Sequence, residues 1–127
     1  MAEAVLDASA VLAIIQSERG AARVEELLPH VLLSSVNAAE VVTKLVRYGS
    51  DPNTAVEAVR EIRCTIVPVD ERLGLRAGVI YAETARFGLS LGDRICLALA
   101  EREGLPVLTA DRAWASLDIG VEFRLIR

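Results

Sequence analysis

Histidine is almost missing from this chain of 127 residues, where His30 stands alone. A catalytic triad built on imidazole and a zinc site built on several histidines are thereby nearly excluded. Any acid–base or metal chemistry has to rest on carboxylates. Cysteine is scarce too: Cys64 and Cys96 both lie in apolar segments without a metal-type spacing. That fits two buried thiols in a reducing compartment better than a disulfide framework. No apolar run approaches the ~20 residues that span a bilayer. The opening "MAEAVLDASAVLAII" lacks a basic segment and is interrupted by Asp7, so it does not read as a secretory signal. A cytoplasmic protein away from membranes is expected. Positive charge is also short, with 14 Lys and Arg against 18 Asp and Glu and a formal net charge of -4. This argues against a broadly basic nucleic-acid binder. Lys44 is the only lysine; the other cations are arginines, the better fork for phosphate, although arginine richness also follows from codon composition.

What remains is apolar. Hydrophobic residues make up 53% of the chain and the mean hydropathy is +0.39, enough for one well-buried core, so residues 1–127 read as a single domain. Short runs of Val, Leu and Ile alternate with longer segments of helical period, which predicts an α/β domain. Ala4-Val5-Leu6 is the first strand, followed by helices near Ser9 to Gln16 and Ala21 to Leu28. A second strand covers Val31 to Ser34. Asn37 is expected to cap a helix running to about Tyr48, and Asp51-Pro52 opens another to about Ile62. Cys64 to Val67 is the third strand. Asp70 caps a long helix to Arg86, and Ser90 opens a helix closed by Gly104. Val107-Leu108-Thr109 and a final edge strand, "VEFRLI" at residues 121–126, complete a mostly parallel sheet of about four to five strands with helices on both faces.

In an open α/β sheet ligands bind beyond the carboxyl ends of the strands. Asp7, Ser9, Asn37, Glu40, Asp70, Asp93, Thr109 and Asp111 fall there or at the starts of helices. Each acid has a local explanation. Asp7 can cap the first helix, Glu40 can close a box with Asn37 or pair with Lys44, Asp93 fits a capping box with Ser90, and Asp111 can cap a short helix near Trp114. Together, however, Asp7, Glu40, Asp93 and Asp111 deliver four carboxylates to one edge of the predicted sheet. Like charges in one pocket repel unless a cation neutralises them. An all-oxygen set suits Mg²⁺ or Mn²⁺, and calcium is disfavoured because no EF-hand-like loop is present.

The pieces "VLDASAVLAII" (5–15), "SSVNAAEVVTKL" (34–45), "GLSLGDRICLALA" (88–100) and "VLTADRAW" (107–114) resemble, in order and spacing, the PIN-domain ribonucleases, most closely the short VapC-type toxins of toxin–antitoxin modules. The resemblance implies a PIN-like three-layer sandwich and metal-dependent endonucleolytic cleavage of RNA. It makes Asp7, Glu40, Asp93 and Asp111 the acidic quartet around one or two Mg²⁺ or Mn²⁺ ions, with Ser9 and Thr109 as the hydroxyl positions beside them. Asp118 is the one candidate for a further acid, or simply a turn residue. Arg94 and Arg112 follow two of the acids and either contact phosphate or point elsewhere. A cognate antitoxin and a homodimer are implied as partners. Other readings are a receiver-like signalling domain, although Ala8 follows Asp7 where an acidic pair is needed and Lys44 lies mid-chain, a haloacid-dehalogenase-type phosphotransferase, for which Ser9 replaces the second aspartate, and a PIN-fold binding module without catalysis.

Overall fold

The computed structural model describes residues 1–127. Its core is a five-stranded sheet formed by β1 (Ala4–Leu6), β2 (Val31–Ser34), β3 (Thr65–Val67), β4 (Val107–Thr109) and β5 (Phe123–Leu125), in the order β3-β2-β1-β4-β5. Every pairing is parallel, so both faces need helical cover. Val5 faces one way and its neighbours Ala4 and Leu6 the other, as the period of a strand requires. Ala4 and Leu6 join a core made with α1 (Ala8–Ile15), α2 (Ala21–Glu25), α3 (Ser35–Arg47) and α4 (Pro52–Glu61). Val5 joins a second core, made with α5 (Glu71–Thr84) and α6 (Leu91–Glu103) and closed by Trp114. The result is the expected three-layer sandwich.

Two features of the chain position the functional edge. β1 lies between β2 and β4, so the direction of winding reverses between β1 and β4, which is where open parallel sheets leave a crevice at their carboxyl ends. A receiver domain instead places its first strand between its second and third, so the signalling alternative does not match this topology. The helix starts are also set by local chemistry. Asp7, Ser34, Asp51, Asp70 and Ser90 each accept a backbone N–H in the first turn of the helix that follows, satisfying donors that a helix leaves orphaned.

Element boundaries depart from the sequence expectation in a few places. Asn37 does not cap α3; Ser34 does, and Asn37 sits one turn in, buried. The fifth helix leaves α geometry at Thr84 and tightens into a 3₁₀ turn over Ala85–Phe87, which Gly88 ends in a left-handed conformation. Only Phe123–Leu125 of the last segment pairs with β4. No helix is long and apolar enough to cross a membrane.

Candidate metal-binding site

Asp7 stands immediately beyond β1 and is only 5% exposed. Its Oδ1 accepts the Ser9 hydroxyl at 2.6 Å and the Ala10 N–H at 2.9 Å, while its Oδ2 accepts the Thr109 hydroxyl at 2.5 Å. Thr109 is the last residue of β4, so this bond ties together the two strands that flank the crevice. The tie is doubled, because Ser9 Oγ also accepts the Ala110 N–H at 2.9 Å. Thr109 Oγ1 in turn accepts the Asp111 N–H at 3.0 Å. Ser9 and Thr109 thus hold Asp7 and the Ala110–Asp111 backbone in one network. Burial pushes the Asp7 carboxyl above the usual aspartate range; the three donors oppose that shift, and the negative charge of Asp93 adds to it.

Glu40 and Asp93 come from the other side. Asn37 donates through its amide nitrogen to Glu40 Oε1 at 2.7 Å and to the Gly92 carbonyl at 3.1 Å. One buried amide therefore joins α3 to the first turn of α6. The Glu40 carboxylate lies directly against Gly92, where a side chain would have to stand. Asp93 closes the capping box: Ser90 Oγ accepts the Asp93 N–H, and Asp93 Oδ2 accepts the Ser90 N–H at 2.9 Å. Beneath them, the fully buried Cys96 thiol is pushed well up, first by burial and then by the charges of Asp7, Asp93 and Glu40. All three acids thus lie within electrostatic reach of Cys96. Asp111 is exposed and caps the following 3₁₀ turn through Ala113 N–H at 2.9 Å.

The caps expected of Asp7, Asp93 and Asp111 are realised, whereas for Glu40 neither the capping box, since Ser34 and not Asn37 caps α3, nor the Lys44 pair forms, and no ion pair involves Asp7, Glu40, Asp93 or Asp111. Glu40, Asp93 and Asp111 each commit one oxygen to a local donor and leave the other with no protein hydrogen bond. Capping and ligation are therefore compatible in one side chain. The donor set is all oxygen and uncompensated by any cation, which fits a hard divalent metal. No three acidic, histidine or cysteine side chains stand close enough together to hold a metal ion among them. Mg²⁺ does not ask for three, because it keeps several waters and is held through one or two carboxylates.

The remaining candidates separate. Arg94 turns away to α5, where it donates to the Ala77 carbonyl at 3.1 Å and lies over the Tyr81 ring; its guanidinium packs two helices together. Arg112 is exposed beside Asp111. Asp118 makes no hydrogen bond and lies on the exposed segment that returns the chain from the 3₁₀ turn toward β5, so it joins none of the network above. Asp70 is an N-cap, as expected. Asn37 and Gly92 are organising residues that a reading of the acids alone overlooks. The signal for Asn37 was the Ser34 at the end of β2, which claims the cap and leaves Asn37 facing inward.

Comparison with known proteins agrees with this fold. The sequence profile of the PIN domain family matches residues 4–120. No curated protein sequence matches the chain. Among solved structures it is similar to the DNA-bound VapBC of Salmonella typhimurium, at 21% identity and a TM-score of 0.79 over 100% of both chains. It is also similar to Mycobacterium tuberculosis VapC20, a sarcin-ricin loop cleaving toxin, at 18% identity and a TM-score of 0.73 over 94% of this chain and 99% of that one. A third similar structure is VapBC-5, from the VapBC family of toxin–antitoxin systems of M. tuberculosis, at 25% identity and a TM-score of 0.64 over 100% of this chain and 99% of that one. With its profile match, its all-parallel sheet and its acids at the crevice between β1 and β4, the chain belongs to the PIN domain family.

Proposed function

We propose that this protein is a metal-dependent endoribonuclease acting as the toxin of a toxin–antitoxin pair. The observation that carries the reading is the set of uncompensated carboxylates at the crevice, one of them, Asp7, buried and fixed by donors from α1 and β4. Asp7, Glu40 and Asp93 would hold Mg²⁺ or Mn²⁺, directly or through water, with Asp111 serving a second ion or orienting the attacking water. When bound, the metal supplies a water of lowered pKa as nucleophile. Ser9 and Thr109 keep the Asp7 carboxylate in one orientation, and Asn37 does the same for Glu40. With His30 exposed just before β2, at the opposite edge of the sheet, no imidazole takes part.

Water attack at phosphorus leaves a 5′-phosphate and a 3′-hydroxyl, whereas attack by the RNA's own 2′-hydroxyl leaves a cyclic phosphate. End-labelled RNA digested with Mg²⁺ or Mn²⁺ should carry the first pair of ends, and EDTA should stop the reaction. Cyclic ends, or full activity in EDTA, would sink the mechanism. Asp93→Asn should abolish cleavage in a folded protein.

An unrestrained ribonuclease harms its host, so a partner is required. Several of the similar structures are of VapBC toxin–antitoxin proteins, which supports a small antitoxin here. An arginine from that partner would bridge the unpaired carboxylates bidentately and compete with metal. Expression of the chain alone should slow growth and co-expression with the adjacent small gene should relieve it, with Asp93→Asn removing toxicity while a pull-down still recovers the complex. A harmless wild-type chain that captures no neighbouring product would leave a PIN module of another kind.

A further inference from the structure

On this acidic chain four arginines converge at one flank of the carboxylates. A concavity of about 550 Å³ is lined by Arg19, Arg23, Arg112 and Arg127, with Gly20 at its floor. A second hollow, of about 540 Å³, shares Arg19, Arg112 and Arg127 and reaches Ala110. Ala110 is the residue whose N–H holds Ser9, and Ser9 holds Asp7. The basic hollows therefore lie beside the crevice, reaching it at Ala110 and Arg112 on either side of Asp111. Glu18 is the one acid among their linings, and it lies 3.7 Å from Arg127.

The hollow is built rather than incidental. Gly20 takes φ +96°, and its backbone packs so closely on Ile126 that any side chain would strike the Ile126 carbonyl. Arg23 donates to the Leu125 carbonyl at 3.4 Å and Arg127 to the Arg19 carbonyl at 2.9 Å. Those bonds clamp the turn between α1 and α2 onto the end of β5. Arg19 and Arg112 are exposed, and neither side chain makes any hydrogen bond or ion pair. Four guanidinium groups against one carboxylate make a local field opposite in sign to the net charge of -4, suited to a ligand that carries several phosphates.

Resting on the ribonuclease reading above, we propose that this arginine hollow grips the RNA backbone on the β4–β5 side of the cleavage site. One flank of the substrate is then held by Arg19 and Arg112, and the scissile phosphate is delivered to the carboxylates from that side. Arg23 and Arg127 shape the hollow through their carbonyl bonds and add charge.

The test is Arg19→Gln with Arg112→Gln, which removes two charges and no hydrogen bond. In Mg²⁺-supported cleavage of a single-stranded RNA, the double variant should raise KM by about tenfold, more than it lowers kcat. It should also flatten the dependence of log kcat/KM on log salt by about 1.4, at about 0.7 for each phosphate contact on a single strand. Arg60→Gln, on the far α4 helix and paired only with Glu57, should match wild type. A double variant with unchanged KM and salt slope would overturn this proposal while leaving the ribonuclease intact. Unaltered cleavage with weakened capture of the antitoxin would also overturn it, assigning the hollow to an acidic protein segment. A chain that neither cleaves nor binds RNA would fail the ribonuclease reading and this one with it.

Discussion

Glu40 can lie against the first turn of α6 because residue 92 has no side chain. The Glu40 carboxylate is the mobile end of a long side chain, so Gly92→Ala should displace it without unfolding the protein. Alanine even favours a helix over glycine, by up to about 1 kcal/mol. The expected result is an unchanged or slightly higher melting temperature with strongly reduced cleavage; a large loss of stability would mean that Glu40 is wedged in place for structural reasons. Asn37→Ala removes the amide that orients Glu40, and supporting contacts of this kind are worth about 10–100-fold in metal affinity or activity. Titration of Mn²⁺ binding against activity would show both falling together. Asp7 gives a pH signature. Its folded pKa is raised by burial, so between the ordinary value near ~3.9 and that raised value the native state keeps a proton the unfolded chain has lost. Wild-type stability therefore falls as pH rises through the window. In EDTA, the stability of Asp7→Asn relative to wild type should rise across the same window and level off above it. Melts over a pH series check this, and a flat difference would remove the burial account.

At the scale of elements, capping decides where functional side chains start. Ser90→Ala breaks the reciprocal box at the head of α6 and should cost about 1 kcal/mol in a denaturant titration. Gly20→Ala meets both a left-handed backbone and the Ile126 carbonyl, so it should cost more than the ~1–2 kcal/mol of the backbone conformation alone. Much of this was legible beforehand. Alternating apolar runs and strong caps such as Asp51-Pro52 and Ser90 give the strand and helix sequence, and the positions of Asp7, Glu40, Asp93 and Asp111 beyond strands or at helix starts give the candidate site. Lateral relations were not legible. That Asn37 reaches Gly92 across 55 positions depends on how α3 meets α6, and local periodicity carries no information about it. Arg94 shows the same limit from the other side: adjacency to Asp93 in sequence says nothing about a side chain that a helix rotates toward Tyr81.

For the whole molecule, α5 presents Leu75 and Val79 to solvent, 65% and 59% exposed. They are one helical turn apart and so share a face. The homodimer that the family resemblance implies would cover such a face, and the oligomeric state tests it. Leu75→Glu should shift the protein from dimer to monomer in sedimentation or size-exclusion experiments; a wild-type monomer would remove the idea.

The bond from Thr109 to Asp7 closes a gap of 102 positions, and β1 finds β4 only after two other strands and all six α-helices have been laid down between them. Seen from the standpoint of synthesis, the crevice has no second wall until β4 has been made. While Thr109 and Asp111 are still untranslated, the nascent chain holds Asp7 without its clamp and lacks the far wall of the hollow altogether. If the chain is the ribonuclease proposed above, a nascent chain that stops short of Thr109 lacks the clamp on Asp7 and should not cleave the messenger that encodes it.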